Sequence, residues 1–354
     1  MADIAIVTGS SGMVGSEATE FLLDKGFIVH GIDNDMRSVF FGDEASTAWN
    51  ERRLIETYPN YHHHSLDIRD RANLDKLFKL HEKDIKLIVH SAAQPSHDWA
   101  AEQAMTDFTV NANGTLVLLE LARRYCPGAV FIYMSTNKVY GDQPNAFPFV
   151  EEDTRWELEA KHPYYANGID ESIGLDECTH SLFGVSKLAG DLMVQEFGRY
   201  FGMKTACFRA GCLTGSGHSG TELHGFLSYL MMCTMKKTPY KVFGYQGKQV
   251  RDNIHSRDVV EALYQFYLKP GVGKVYNMGG GRFSNCSMLE AIAICEQITG
   301  NKLNWDYIEK PRAGDHIWWI SDMTRFKTDY PDWDIQYNLQ QTFEEIHDGL
   351  RQRL

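Results

Sequence analysis

IAIVTGSSGMVGSEATEFLLDKGFIVHGID, residues 4–33, decides how this chain is read. The apolar run 4–8 enters a Gly-Ser cluster, after which residues 14–25 place Val14, Ala18, Phe21 and Leu22 on one helical face. Gly26 stops that helix, and 27–32 reads as a second buried strand. Gly9, Gly12 and Gly15 fall in the turn, where glycine lets the backbone bend tightly and approach a pyrophosphate favoured at a helix N-terminus. Asp33 ends the second strand, 18 residues after Gly15. A carboxylate there accepts hydrogen bonds from adenosine ribose hydroxyls and repels a 2'-phosphate, so NAD is favoured over NADP, with Arg37 the one neighbour that suits NADP.

The same rhythm continues outward. Strands at 61–65, 87–91, 130–134 and 205–209 alternate with helices at 72–81, 107–125 and 182–201, which predicts a parallel sheet covered on both faces. The fold class is α/β: a Rossmann-type doubly wound sheet with a smaller C-terminal substrate-binding α/β region. The NAD-binding domain is expected over 1–209, with a loop insertion at 142–180 and with 250–277 rejoining it. The substrate region takes 210–249 and 278–354. Around the cofactor we expect Gly9, Ser11, Gly12, Met13 and Val14 from the turn, Asp33, Asn34 and Arg37 after the second strand, and Asp67 and Ile68 after the third. Ala92, Ala93 and Gln94 follow the fourth strand, where small residues let a cofactor lie against the backbone.

Bulk properties narrow the partners. A net charge of −12 argues against nucleic acid or an anionic membrane, and no apolar run is long enough to span a bilayer. The seven cysteines form no CxxC pair, so neither a zinc site nor a disulfide framework is expected and a reducing cytoplasm fits best. The histidines at 62–64 lie in a strand, where adjacent side chains alternate; no metal site is expected.

The order GSSGMVG (9–15), Asp33, HSAAQ (90–94), NANGT (111–115), STNKVYG (135–141) and HSLFGVSKLAGD (180–191) resembles the extended short-chain dehydrogenase/reductases. The likeness runs through KVFGYQGKQVRDNIH (241–255) and RAGDH (312–316), and STNKVYGD, GKQVRD and YNMGGG look most like the CDP-paratose 2-epimerases of that family. The resemblance implies an enzyme that oxidises a sugar hydroxyl with NAD, lets the planar ketone present its other face, and returns the hydride. Asn111 joins the cofactor contacts on the same ground. In the family a tyrosine takes the hydroxyl proton, acidified by a lysine four residues on and helped by a Ser or Thr hydroxyl. Carried over, the hydroxyl is Ser135 or Thr136 and the lysine, which also holds the nicotinamide ribose, is Lys187; the tyrosine position is Phe183.

Phenylalanine carries no exchangeable proton, so another base is required: Lys138, Tyr164, Tyr165, His180 or a water on Thr136. Related sugar 4,6-dehydratases carry Asp-Glu where this chain has Asn137 and Lys138, which disfavours dehydration. The resemblance assigns a nucleotide-diphosphate sugar, CDP-linked by preference, to Arg251 and Arg312 at the diphosphate and to Lys241, Val242 and Phe243 at the base. Asn137, Cys212, His224 and Asp315 are expected on the same ground to face the sugar. It also implies a homodimer through the helices at 107–125 and 182–201. A binding protein that has lost the chemistry, or a keto-sugar oxidoreductase, are the alternatives.

Overall fold

The computed structural model describes residues 2–222, 225–312 and 314–353. Its chain divides into two compact units, one of Met1–Val139, Leu182–Arg209 and Val259–Tyr276, the other of Tyr140–Ser181, Ala210–Asp258 and Asn277–Leu354. The first unit begins β1 (Ile4–Thr8), α1 (Met13–Asp24) and β2 (Ile28–Ile32). Every residue of β1 is buried, as a continuous apolar run in a parallel sheet requires. Gly26, at φ +88°, ends α1 where the spacing predicts. Two helices unassigned from sequence, α2 (Met36–Phe41) and α3 (Ala48–Thr57), precede β3 (Tyr61–His64) and α4 (Arg71–His81). α2 spans fewer than two turns, too short for a helical period to show, and α3 carries only Ala48, Trp49, Leu54 and Ile55 as apolar residues.

After β4 (Ile85–His90) come α5 (His97–Glu102), α6 (Ala104–Phe108), α7 (Gly114–Tyr125) and β5 (Val130–Thr136). The single helix expected at 107–125 is therefore interrupted: a π-helical turn at Thr109–Asn113 joins α6 to α7. Insertions of this kind favour functional positions, and Asn111 lies in this one. The segment expected as a loop at 142–180 carries a small antiparallel hairpin of β6 (Phe149–Glu151) and β7 (Trp156–Leu158). The chain re-enters the first unit through α8 (Ser181–Phe201) and β8 (Lys204–Ala210).

The second unit adds β9 (Cys212–Thr214), α9 (Phe226–Lys236), β10 (Tyr240–Phe243) and β11 (Val250–His255). Then α10 (Ser256–Leu268) and β12 (Lys274–Met278) lead to β13 (Asn285–Ser287), α11 (Met288–Thr299), β14 (Trp305–Ile308) and β15 (Trp318–Trp319). The chain closes with α12 (Thr324–Asp329) and α13 (Leu339–Arg353). In α11 the ends follow local chemistry: Ser287 and Glu290 form a reciprocal capping box, and Gly300 closes the helix at φ +69°. Leu230, Met231, Val242, Ile292, Phe343 and Ile346 form this unit's core.

The main sheet runs β3-β2-β1-β4-β5-β8-β12, with β1, β2, β3, β4 and β5 paired parallel. Strand order reverses between β1 and β4, which opens the crevice in which doubly wound sheets bind ligands. At the far edge His62 and His64 share a face with His30, whose Nδ1 is 2.9 Å from His64 Nε2, while the His81 ring lies 4.2 Å away between centroids. Burial, reinforced by the neighbouring rings, pulls His30 down to about 3 and leaves it neutral. Among the described residues, no group of three or more His, Cys, Asp or Glu is placed to hold a metal ion, and no helix is long and apolar enough to cross a membrane.

Candidate active site

The glycine turn between β1 and α1 is shaped by backbone packing. Gly9 adopts φ +68°, and a Cβ on it would stand 2.8 Å from the Ala92 nitrogen at the end of β4. A Cβ on Gly15 would stand 1.9 Å from the Gly9 carbonyl oxygen, so helix and turn touch as only glycine permits. Helix α1 starts from Gly12 with no side-chain cap, which leaves its first N–H groups to an external acceptor. Ser11 Oγ, beside them, is buried without a hydrogen-bond partner. Met13 and Val14, in the first turn, are partly exposed.

Asp33 stands at the end of β2 and is oriented by two backbone donors, the Ser11 N–H at 3.0 Å and the Asp35 N–H at 2.8 Å. Burial pushes its carboxyl up, and those two bonds oppose the shift. Asn34 is exposed and accepts from the Met36 N–H. Arg37 packs over the Phe41 ring at 5.0 Å, and burial brings it down to about 10. Asp67 is gripped by Arg69, whose Nη2 is 2.6 Å and Nε 2.9 Å from its two oxygens. Ile68 is buried against Gly114. An orphaned hydroxyl, an open helix N-terminus and an oriented carboxylate fit NAD: the turn for the pyrophosphate, Asp33 for the adenosine ribose.

At the end of β4 the polar groups form one buried network. The Ala92 N–H donates to Thr8 Oγ1 at 3.2 Å; Thr8 Oγ1 in turn lies 2.7 Å from His90 Nδ1, and His90 Nε2 2.9 Å from Thr115 Oγ1. Burial holds His90 near 3, so it remains a neutral relay of hydrogen bonds. Ala93 is half-buried beside it. Asn111 accepts from the Gln94 N–H and donates to the Gln94 carbonyl, Asp107 Oδ1 and Ser186 Oγ, all between 2.9 and 3.1 Å. The π-helical turn is what swings Asn111 into this position.

On α8, Phe183 and Lys187 stand four residues apart and are both buried, at 7% and 4% exposure. Lys187 Nζ donates to the Met134 carbonyl at 2.7 Å and lies 4.2 Å from the Tyr133 ring centroid. Burial lowers it to about 7, against the pull of Asp191. The two hydroxyl candidates separate here. Ser135 Oγ donates to Asp191 Oδ2 at 2.6 Å inside a fully buried ion pair with Arg209, and so serves structure. Thr136, half-buried, accepts from the Lys138 N–H at 3.2 Å and reaches Asn137 Oδ1 at 3.4 Å, which leaves its hydroxyl the better placed for a ligand.

In the second unit Arg251, on β11, bonds the Asp315 carboxylate and the His316 carbonyl and donates to the Val250 carbonyl at 2.7 Å. Arg312 stacks over Phe243 at 4.5 Å. On β10, Val242 is buried while Lys241 is exposed. Cys212 sits on β9, opposite Asn253. His224 lies outside the described residues. Sequence reasoning missed His97, Asp107, Ser186, Asp191 and Arg209. Asp191 and Ser186 lie beside Lys187 in the sequence and Asp107 one turn before Asn111, whereas His97 and Arg209 become neighbours of the site only in the fold.

A glycine turn, a strand-end carboxylate and a buried lysine facing the same strand ends define a dinucleotide-dependent enzyme of the short-chain dehydrogenase/reductase type. Residues 5–279 match the NAD dependent epimerase/dehydratase family, and the chain belongs to it, with NAD as its cofactor. The chain is 28% identical to the CDP-paratose 2-epimerase of Salmonella typhi over 352 residues, covering 97% of this chain and 98% of that one. It is likewise 28% identical to a dTDP-glucose 4,6-dehydratase of Neisseria meningitidis over 344 residues, 94% of this chain and 84% of that one. In fold it matches the UDP-glucose 4-epimerase of Thermotoga maritima with TM-score 0.79 at 23% identity, over 99% of both chains.

Proposed function

We propose that this enzyme inverts C2 of a CDP-activated hexose through a transient ketone. The observation that carries the reading is the end-to-end match to a CDP-paratose 2-epimerase, taken with Asn137 and Lys138 at the positions where dehydratases need an Asp-Glu pair. When bound, NAD would supply hydride-accepting and hydride-donating chemistry within one turnover. The chain's own residues bind and orient: Asp33 takes the adenosine ribose, Lys187 the nicotinamide ribose, and Thr136 Oγ1 hydrogen-bonds the reacting hydroxyl. Arg251 and Arg312 take the diphosphate, with Asp315 holding the Arg251 fork in place until the ligand arrives.

Incubated with CDP-, UDP- and dTDP-hexoses in deuterated buffer, the protein is expected to convert a CDP-hexose to its C2 epimer with no net change in NADH. Net consumption of NADH would establish a keto-sugar reductase instead. Tight nucleotide-sugar binding without product would establish a binding homologue, the reading that Phe183 favours.

We also assign a homodimer to α7 and α8. Leu182, Val185 and Leu192 form an exposed stripe along α8, with Leu116 exposed on α7, and Arg123 stacks on Phe201 at 4.6 Å to join the two helices. Replacing Val185 and Leu192 together by Asp should convert a sedimenting dimer to a monomer; a monomeric parent protein rules the assignment out. Seven free thiols support a reducing cytosol as its compartment.

A further inference from the structure

The reaction proposed above needs a proton acceptor, and at the family's tyrosine position stands a phenyl ring. That ring is covered by His97: the two meet edge to face, 4.9 Å between centroids at 67°. Phe183 is buried and His97 only half-buried, so the imidazole is the member of the pair open to proton exchange.

Both partners are held by one device. His97 opens α5 directly after Ser96, whose hydroxyl caps the helix by accepting from the Trp99 N–H at 3.2 Å. Ser96 is tied back to Gln94, whose Nε2 donates to the Ser96 carbonyl at 2.9 Å. Asn111 then clamps Gln94 on one side and Ser186 Oγ on the other, and Ser186 Oγ donates to the Phe183 carbonyl at 3.0 Å. The β4 exit and the α8 turn are thus locked in register, which is what positioning an acid-base group demands.

Lys187 donates to the Met134 carbonyl, and Ser135 is committed to Asp191. We infer that His97 replaces the missing phenol as proton acceptor and donor, an assignment that rests on the epimerase reading. The neutral imidazole takes the hydroxyl proton as the hydrogen on the same carbon leaves as hydride to NAD+, giving ketone, imidazolium and NADH. When the hydride returns to the other face of the carbonyl carbon, the imidazolium gives the proton back to oxygen, and ring and cofactor regain their starting states.

Three proteins test this: the parent, His97→Gln, and His97→Gln with Phe183→Tyr. With a CDP-hexose, kcat of His97→Gln should fall about 10²- to 10⁴-fold with little change in KM, and the added tyrosine should restore part of it. The acidic limb of the parent's pH profile, set by an imidazole, should move to higher pH in the rescued variant, where a phenol must lose its proton instead. Independently of turnover, the His97 ring resonance, assigned by its absence in His97→Gln, should titrate between about pH 5 and 8. A His97→Gln protein that keeps the parent's kcat and pH profile, or a ring that does not titrate, overturns the assignment while the epimerase reading stands. A parent inactive on every nucleotide sugar removes both.

Discussion

Gly15→Ala is expected to cost the protein its hold on NAD. The new Cβ would lie 1.9 Å from the Gly9 carbonyl oxygen, 2.6 Å from its carbon and 2.9 Å from the Ser10 Cα. These are backbone atoms, which cannot rotate aside as a side chain would. Gly9 in turn sits close to the strand-end backbone, where an added Cβ would stand 2.8 Å from the Ala92 nitrogen. The start of α1 must therefore part from the turn, and the N–H groups that face the pyrophosphate part with it. Overpacking a well-filled site costs about 1–3 kcal/mol. At about 1.4 kcal/mol per decade of affinity, the upper end approaches a hundredfold loss. Titration calorimetry with NAD reads this directly, and a Kd within twofold of the parent's would refute it. Gly12→Ala is a useful contrast, since its Cβ would meet only the Gly9 oxygen, at 3.3 Å.

Arg209→Met should destabilise the first unit by about 3–5 kcal/mol, the usual cost of stranding one partner of a buried ion pair. Asp191 is fully buried, and Arg209 reaches it with Nη2 at 2.8 Å and Nε at 3.1 Å. Without the guanidinium, only Ser135 Oγ and Gln195 Nε2, each at 2.6 Å, remain to satisfy the carboxylate. The charge cannot escape to water, so the unfolded state gains. Removing the charge as well, as Asp191→Leu with Arg209→Met, should recover much of the loss, because a packed apolar pair does not pay for desolvation. Urea denaturation of the three proteins measures the cycle. A single variant within 1 kcal/mol of the parent, by the scale just given, would show that water reaches Asp191.

The cofactor half was legible because its constraints are local. A buried strand, a glycine turn and a helix follow one another within residues 4–33, and each is a property of near neighbours. The helix at 107–125 was legible as a helix but not as an interrupted one, because the partners that Asn111 meets from the π turn, Gln94 and Ser186, are not its sequence neighbours, the latter lying 75 residues away. The bond of Ser135 to Asp191, itself paired with Arg209, was not legible, because no spacing places those residues beside it. Histidines 62 and 64 read as strand residues, yet their neighbours His30 and His81 come from β2 and α4.

By itself the sequence determined a doubly wound dinucleotide fold, its family, and the absence of a phenol at residue 183, since these depend on periodicity, on glycines and on the identity of one side chain. Only the tertiary structure decided what stands against that phenyl ring. His97 lies 86 positions earlier in the chain and meets Phe183 because parallel strands deliver both of their following segments to the same end of the sheet.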